Sequence, residues 1–243
     1  MISILIPFHN EIENIETYPS LLFPVVNNIM IRYAYDYEFV FVDDGSLDKG
    51  FDKLIEVSKP FDYKGSINSF EPRAGLGCAI RRGIKHSNGD YIIVLDADLS
   101  YKPEDIAILL RKLIEHPDAD CITASPYTKK YTDGGMRIFG SKFFNGIFSK
   151  LLDRKVTCVT GMFRLYKTSS LKELILTSKD FNINTEIILK LFANGKEIYE
   201  VPSKLNKRNL GKSKLKIMKE VMNETKLIMK LWFKKKFKRK MTI

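Results

Sequence analysis

Cysteine is scarce in this chain, with three residues among 243, Cys78, Cys121 and Cys158. An odd and widely spaced set argues against a framework of disulfide bonds and suits a reducing cytoplasm. The three positions also lack the spacing of metal ligands. The sequence therefore excludes a small disulfide-stapled domain and offers no thiolate metal site.

Long apolar runs are missing as well. No stretch approaches the roughly 18 consecutive apolar residues of a membrane span. The first residues, MISILIPFHNE, lack the basic region and the cleavage site of a signal peptide. We therefore expect a cytoplasmic protein without a spanning helix. Its 44% hydrophobic content is enough to bury the core of one domain with a small appendage.

Positive charge is unevenly distributed along the chain. The formal net charge is +11, yet residues 207–243 contain 14 Lys and Arg against two Glu, so the remainder, with 26 basic and 27 acidic residues, is nearly neutral. A basic tail is typical of nucleic-acid binding or of an anionic membrane surface. Because the body shows no nucleic-acid recognition module, we favour the membrane surface and expect no nucleic-acid partner.

Apolar, β-rich runs alternate with helical patterns over the first half of the chain. Continuous apolar strands joined by helices predict an α/β fold with an open, mostly parallel sheet covered by helices on both faces. Ligands of such sheets bind at the carboxyl ends of the strands. The predicted strands are 2–8, 38–46, 66–70, 91–100 and 120–127, and the predicted helices are a stretch ending near Ala34, 47–59, 75–87 and 103–116.

Four carboxylates fall at predicted carboxyl ends of strands: Asp43, Asp44, Asp96 and Asp98. Strand residues alternate between faces, so Asp96 and Asp98 are expected to point the same way. Two such carboxylates repel each other unless a cation lies between them, and their oxygen ligands suit Mg²⁺ or Mn²⁺. Two plainer alternatives remain open. Asp98 or Ser100 could cap the helix near position 103, and Asp43–Asp44 could form a simple turn.

Four motifs, in order, carry a family resemblance: IPFHNEIENI, VFVDDGSLDKG, RAGLGCAIRRGIKHSNGDYIIVLDADLS and RNLGKSK. They resemble the family 2 glycosyltransferases with a GT-A fold, and among these the dolichol-phosphate mannose synthase group, over roughly residues 2–216. The resemblance implies a metal-dependent, inverting hexosyltransferase. Its donor would be a nucleotide-diphosphate sugar of the GDP-mannose or UDP-glucose type, and its acceptor a polyprenyl or dolichyl phosphate.

The same resemblance assigns the donor side residue by residue. Asp98 would be the principal metal ligand, joined by Asp96, and these two with Ala97 form the metal motif. Arg73, beside a Gly-rich turn, would approach the donor phosphate or ribose, although simple packing of Gly75 and Gly77 at a helix start is an equal alternative. The positions matching the nucleotide pocket are Pro7, His9, Glu11, Val42 and Asp44.

The acceptor side and the phosphates are assigned in the same way. Arg208 and Lys214 match basic residues that face the diphosphate and the acceptor phosphate, and a solvated basic loop is the alternative. Arg164 in TGMFRLYK matches an acceptor-side strand. If the acceptor were a glycan hydroxyl, a base would be needed, and Glu186 is the candidate, with helix capping as its plain alternative. Arg137, Ser141 and Asn145 match the spacing of an Arg, a Ser and an Asn in the family, and their four-residue steps put them on one helix face. The resemblance implies that they line the acceptor side, and a plain amphipathic helix is the alternative.

One departure from the family pattern concerns the metal: Ser100, a weaker ligand, occupies the place of a possible third metal ligand, which implies a more open site. Two others concern the substrates, because Pro126 stands where an Arg is usual and Cys158 replaces an Asp. They leave the sugar and the acceptor open but not the nucleotide-sugar donor. A transferase acting on a glycan hydroxyl and a catalytically silent, membrane-associated scaffold are the competing functions.

The chain divides into a catalytic domain, 1–211, and a basic segment, 212–243, with helical spacing and a WFKKKFKRK ending. Aromatic residues flanked by lysines are typical of a helix lying at anionic headgroups. We expect a peripheral protein at the cytoplasmic face of the membrane. The alternative is a helix that packs on the catalytic domain.

Overall fold

The computed structural model describes residues 1–61, 64–126 and 156–206. Strands and helices alternate along these residues, as the sequence predicts. The strands are β1 (Ile2–Phe8), β2 (Tyr37–Asp43), β3 (Lys64–Ser69), β4 (Tyr91–Val94), β5 (Cys121–Ser125), β6 (Arg164–Lys167) and β7 (Ile198–Pro202). The α-helices are α1 (Ile12–Ile15), α2 (Tyr18–Leu21), α3 (Phe23–Tyr33), α4 (Gly50–Ser58), α5 (Leu76–His86), α6 (Ile106–Glu115), α7 (Thr168–Lys172) and α8 (Ile183–Ala193), and a 3₁₀ turn, Pro103–Asp105, precedes α6.

Among the described residues, the seven strands form one sheet in the order β3-β2-β1-β4-β6-β5-β7. All neighbouring pairs are parallel except those made by β6, which runs antiparallel to both β4 and β5. The predicted open, mostly parallel α/β fold is confirmed. The register aligns Phe8 with Asp43 and Leu5 with Val94, so the ends of β1, β2 and β4 share one edge of the sheet.

The sheet is covered on both faces by separate apolar clusters. Ile4 and Ile6 of β1 belong to a cluster beneath α1 to α3 and α6, whereas Leu5 belongs to the cluster beneath α5 and α8. β1 is buried along its whole length. This two-sided burial explains why the strand sequences are continuously apolar rather than alternating.

The two largest differences from the predicted element boundaries lie before Ala34 and after Val94. The helical stretch before Ala34 is divided into three helices, and Pro19 and Pro24 each stand in the first turn of a new one, where proline is tolerated because its missing N–H has no partner to lose. β4 ends at Val94 instead of continuing to residue 100. In the described residues, no helix is long and apolar enough to span a membrane.

Candidate functional site

The loops that follow β1 and β2 are joined into one structure at the carboxyl edge of the sheet. The backbone N–H of Asn10 donates to Ser46 Oγ at 2.9 Å, and the N–H of Leu47 donates to Asn10 Oδ1 at 2.7 Å. Asp48 Oδ2 accepts from the N–H of Ile12 at 3.0 Å. The edge is therefore a network of short polar contacts between two loops that are distant in sequence.

Asp43 organises the turn after β2. Its Oδ1 accepts from the backbone N–H and the hydroxyl of Ser46 at 3.0 and 2.5 Å, and its Oδ2 accepts from Ser69 Oγ at 2.8 Å. The turn alternative is confirmed for this residue. Both carboxylate oxygens are used inside the protein, and the side chain is buried.

Asp44 binds backbone amides at the start of α5. Its carboxylate accepts from the backbone N–H groups of Ala74 and Gly75, each at 2.9 Å, and lies 3.6 Å from Arg73 Nε. Asp44 is buried, whereas the Arg73 side chain is 60% exposed. Asp44 therefore pairs with the Nε side of the Arg73 guanidinium, and most of the Arg73 side chain is exposed.

Gly75 and Gly77 are explained by packing. A Cβ at Gly75 would lie 2.5 Å from the carbonyl oxygen of Lys179, and one at Gly77 would lie 2.2 Å from that of Ser178. Gly75 also has φ +96°, which disfavours other residues. The N–H of Gly77 donates to the Lys179 carbonyl at 2.7 Å. The segment before α8 therefore rests directly on the start of α5, in agreement with the packing alternative.

The metal motif lies in a turn beyond β4. Because the strand ends at Val94, strand alternation does not govern Asp96 and Asp98, and that part of the sequence argument was wrong. The N–H of Leu99 donates to the Asp96 carbonyl at 3.0 Å, and Leu99 has φ +50°. Asp98 is 7% exposed and Asp96 is half-buried, so the turn presents both residues at the carboxyl edge.

The helix-cap alternative for Asp98 and Ser100 is wrong. The residues that precede the 3₁₀ turn and α6 are Lys102 and Asp105, and neither helix start has a side-chain cap. Ser100 instead donates to Asp98 Oδ1, from its backbone N–H at 2.9 Å and from its hydroxyl. Both contacts reach one oxygen of the carboxylate, and they fix its orientation.

Tyr18, which sequence reasoning missed, is hydrogen-bonded to the backbone of the metal motif. It is fully buried, and its hydroxyl donates to the Ala97 carbonyl at 2.9 Å. Burial raises the pKa of Tyr18 well above its ordinary value, and the nearby carboxylates of Glu11 and Asp98 raise it further. Residues that follow β1 (Glu11) and β4 (Ala97 and Asp98) therefore lie close to this hydroxyl. In the sequence, Tyr18 is indistinguishable from any aromatic core residue.

The other predicted nucleotide positions share the same edge. Pro7 and Val42 are buried, and the Val42 side chain packs in the cluster beneath α5, so only its backbone can face a ligand. His9 is half-buried, with Nε2 3.4 Å from the amide nitrogen of the next side chain. Glu11 accepts from Asn14 Nδ2 at 2.6 Å.

The donor set at this edge suits a hard divalent cation. Asp96 and Asp98 offer carboxylate oxygens, the ligands that Mg²⁺ and Mn²⁺ prefer. Within the part of the chain that the structure describes, no group of three or more His, Cys, Asp or Glu side chains is arranged to hold a metal ion. A Mg²⁺ ion bound by one or two carboxylates keeps positions for phosphate oxygens and water.

The resemblance matches Arg164 to an acceptor-side strand, but the structure buries this residue. Its side chain is 0% exposed, and a buried guanidinium needs an acceptor for each of its donors. Its partners are Thr123 Oγ1 (3.0 Å), the Tyr166 hydroxyl (3.4 Å) and the carbonyls of Cys158 (3.1 Å), Val159 (2.7 Å) and Asn184 (2.7 Å). Arg164 therefore positions the chain before β6 and does not itself meet a substrate.

Two cysteines flank this buried guanidinium. Burial raises the pKa of Cys121 to about 12 and that of Cys158 to about 11, although the positive charge of Arg164 acts in the opposite direction. Both groups are therefore neutral thiols near neutral pH. Cys158 does not supply the negative charge that an Asp would bring to this position.

Glu186 is also unavailable as a base. Its carboxylate is buried and accepts from the N–H of Thr177 at 3.0 Å, the N–H of Ser178 at 2.8 Å and Lys190 Nζ at 2.5 Å. Burial raises the pKa of Glu186, but these hydrogen bonds outweigh it and lower the pKa to about 2. A carboxylate so stabilised accepts a proton poorly. Glu186 instead secures the segment that rests on α5.

Several sequence predictions fall outside the described residues: Arg137, Ser141, Asn145, Arg208, Lys214 and the segment 212–243. They remain predictions. The last described residue, Asn206, donates its backbone N–H to the Ser100 carbonyl at 2.9 Å. The chain that leads to RNLGKSK thus begins beside the metal motif.

Comparison with known proteins agrees with this geometry. The chain is 30% identical, over 228 residues, to the dolichol-phosphate mannosyltransferase of Pyrococcus furiosus, a match that covers 88% of this chain and 59% of that protein. It is 27% identical, over 218 residues, to the undecaprenyl-phosphate 4-deoxy-4-formamido-L-arabinose transferase of Edwardsiella ictaluri, covering 90% of this chain and 64% of the relative. The chain thus spans less than two thirds of the length of either curated relative.

Solved structures show the same fold. Glucosyl-3-phosphoglycerate synthase from Mycobacterium tuberculosis, in complex with Mn²⁺, UDP-glucose and phosphoglyceric acid, superimposes with a TM-score of 0.68 at 17% identity, covering 96% of this chain and 79% of that one. The same enzyme with Mg²⁺ and UDP gives a TM-score of 0.66 at 14% identity, covering 96% and 78%. The family model described as glycosyl transferase family 2 matches residues 3–175, and the chain belongs to that family.

Proposed function

We propose that this protein is an inverting glycosyltransferase that moves a hexose from a nucleotide-diphosphate sugar to a polyprenyl phosphate. One observation carries the proposal. Both curated relatives, matched over most of this chain, are named for sugar transfer to a polyprenyl phosphate carrier. The carboxylate-lined edge of the sheet supports the donor half of the reaction, because a diphosphate requires a cation beside it.

The donor would lie across the ends of β1, β2 and β4. Asp98 and Asp96 would hold Mg²⁺ or Mn²⁺, which neutralises charge on the departing diphosphate when bound. Arg73, whose Nε lies 3.6 Å from Asp44 and whose side chain is largely exposed, would face the ribose or a phosphate. Tyr18 would keep the motif in place through the Ala97 carbonyl.

The acceptor would need little help from a base. A phosphate monoester oxygen is already anionic near neutral pH. It would form the new bond to the anomeric carbon while the bond from that carbon to the diphosphate breaks on the opposite side, which inverts the configuration. The burial and low pKa of Glu186 make it a poor base, which accords with an acceptor that needs none.

Two substrates that both carry phosphate repel each other, so cations are needed between them. Arg208 and Lys214 are the proposed source. Arg208 is two residues beyond Asn206, which bonds to Ser100, and two residues of extended chain span up to about 7 Å. Arg137, Ser141 and Asn145 would line the acceptor side, and the basic segment 212–243 would lie on an anionic membrane surface.

The decisive experiment is a donor screen with Mn²⁺ and a short polyprenyl phosphate, scored by sugar extracted into the lipid phase. We expect one nucleotide sugar to label the lipid in a manner that EDTA abolishes. A parallel reaction offers an oligosaccharide instead of the lipid phosphate. Sugar transfer to the oligosaccharide alone would replace this proposal with the glycan-hydroxyl alternative. Tight nucleotide-sugar binding without any transfer would favour the catalytically silent scaffold.

A further inference from the structure

The turn Thr157–Gly161 lies next to the metal motif but on the opposite side from the donor loops. Arg164, the first residue of β6, pairs with Val94 of β4 and Thr123 of β5. Because β6 runs antiparallel to β4, the chain before Arg164 emerges at the edge where β4 continues towards Asp98. The ring of Phe163 stacks on that of Tyr101 at 5.1 Å, which joins the two segments.

Glu200 of β7 holds the amide side of this turn. Its Oε2 accepts from the backbone N–H of Thr157 at 2.6 Å and from that of Cys158 at 3.1 Å. Its Oε1 accepts from the Thr157 hydroxyl at 2.6 Å. Since that hydroxyl hydrogen is used, Ser125 Oγ, 2.8 Å away, donates to Thr157 Oγ1. Glu200 therefore binds the turn to β7, and Ser125 binds it to β5.

Arg164 holds the carbonyl side of the same turn. Its Nη2 donates to the carbonyls of Cys158 and Val159 at 3.1 and 2.7 Å. A negative group thus meets the amide hydrogens and a positive group meets the carbonyl oxygens, so each end of the turn's peptide dipoles faces the charge that stabilises it. Cys158 is fixed from both directions, and its side chain is 3% exposed.

These contacts hold the start of the turn in place, and a short, partly exposed segment follows it. Val159 and Met162 are buried, whereas Thr160 and Gly161 between them are half-exposed. By the antiparallel register of β6 with β4, these two residues lie near the edge on the β6 side of Asp98. In the strand order β2-β1-β4-β6-β5, that side is opposite the nucleotide loops, where the second substrate would enter.

We propose that Glu200 is a positioning residue for the acceptor: it fixes the turn Thr157–Gly161 so that Thr160 and Gly161 form one wall of the acceptor site. This inference rests on the proposed function. No sequence motif considered above includes Glu200. Because its contacts are to backbone amides and one hydroxyl, its action on the substrate is indirect, through the shape of the turn.

The test compares E200Q and E200A with wild type in the full chain, with E115Q as a matched control. Glu115 is an exposed helix residue paired with Lys112. We expect E200Q to raise the KM for a short polyprenyl phosphate about tenfold, the effect of losing one charged hydrogen bond, and E200A to raise it further. The Kd for Mn²⁺ with the nucleoside diphosphate and the kcat should stay at wild-type values, as should all three quantities in E115Q.

A second measurement does not depend on activity. Cys158 should react slowly with a maleimide in wild type, because the thiol is buried and has a raised pKa. Releasing the turn should expose it, so labelling of Cys158, located by mass spectrometry, should accelerate in E200A and to a smaller extent in E200Q. Cys121 lies in β5 and should remain protected, which separates opening of the turn from general unfolding.

The outcomes separate the two proposals. Failure of the proposed function appears as a wild-type protein that transfers no sugar to the lipid phosphate, while the labelling experiment still reports whether Glu200 holds the turn. An active E200Q enzyme with wild-type acceptor KM overturns the positioning role, even if Cys158 becomes reactive. Equal losses of donor and acceptor binding, or unchanged labelling in E200A, also overturn it.

Discussion

The two halves of the sheet hold their loops by different means. On the donor half, from β1 to β4, aspartates at the strand ends accept from nearby backbone amides, as Asp43 and Asp44 do. On the other half, long charged side chains from strands and helices reach the loops, as Arg164, Glu186 and Glu200 do. The proposed donor half is therefore held by short carboxylates at the strand ends, and the proposed acceptor half is held by longer charged side chains, of which Arg164 and Glu186 are buried.

The largest effect should come from the buried guanidinium. R164M would leave the carbonyls of Cys158, Val159 and Asn184 buried without their donor, and we expect a loss of about 4 kcal/mol in the free energy of unfolding. Urea denaturation measures it. R164K should restore part of the loss, because an ammonium reaches fewer acceptors. R111M, at an exposed helix position, is the control, and a loss in R164M no larger than in R111M would contradict the contrast between the halves.

Next in size is the metal motif. D98N should lower the transfer rate about a hundredfold, or about 2.7 kcal/mol, because a neutral amide binds a divalent cation and offsets the diphosphate charge poorly. The Mn²⁺ dependence of nucleoside diphosphate binding, followed by calorimetry, measures the cause. D52N, at an exposed residue of α4, should behave as wild type. Unchanged Mn²⁺ dependence in D98N would remove the metal site from this edge.

Glu186 should link the stability of the acceptor half to pH. Its folded-state pKa of about 2 lies below the ordinary value of 4.5, so its stabilisation is present above pH 4.5 and is lost as the pH falls towards 2. E186Q should therefore be less stable than wild type at pH 7, on the order of 2–3 kcal/mol, and the gap should narrow in acid.

Urea denaturation of the two proteins at neutral and acid pH tests this linkage. E115Q, at an exposed glutamate, should show no such gap. A difference between wild type and E186Q that is independent of pH would mean that the ionised carboxylate is not what holds the segment on α5.

The smallest effect concerns Tyr18. Y18F removes the hydrogen bond to the Ala97 carbonyl and should cost about 1 kcal/mol of unfolding free energy. It should also weaken Mn²⁺-dependent nucleotide binding severalfold, because the motif turn loses its support. Y37F, which removes a hydroxyl bonded to Asn27 at the opposite edge of the sheet, is the matched control. Equal effects of both variants on nucleotide binding would show that Tyr18 does not act on the motif.

Sequence reasoning was most successful where the signal is local. The apolar runs identified five of the described strands, and the acidic residues at the end of β2 and beyond β4 lie at the carboxyl edge of the sheet, as the sequence predicted. It was least successful beyond the strand ends. The alternation argument for Asp96 and Asp98 was wrong because β4 stops at Val94, and hydrogen bonding, not apolar content, decides where a strand stops.

The sequence by itself determined the alternating α/β order, the acidic residues at the carboxyl edge of the sheet and the family resemblance, because each depends on residue type and spacing along a short stretch. Only the tertiary structure decided that Arg164 and Glu186 are buried and bind backbone groups, that Tyr18 bonds to the backbone of the metal motif and that Glu200 bonds to the turn before β6. These contacts join residues far apart in the chain. A charged side chain looks the same in sequence whether it meets a ligand or the backbone, and only packing determines which.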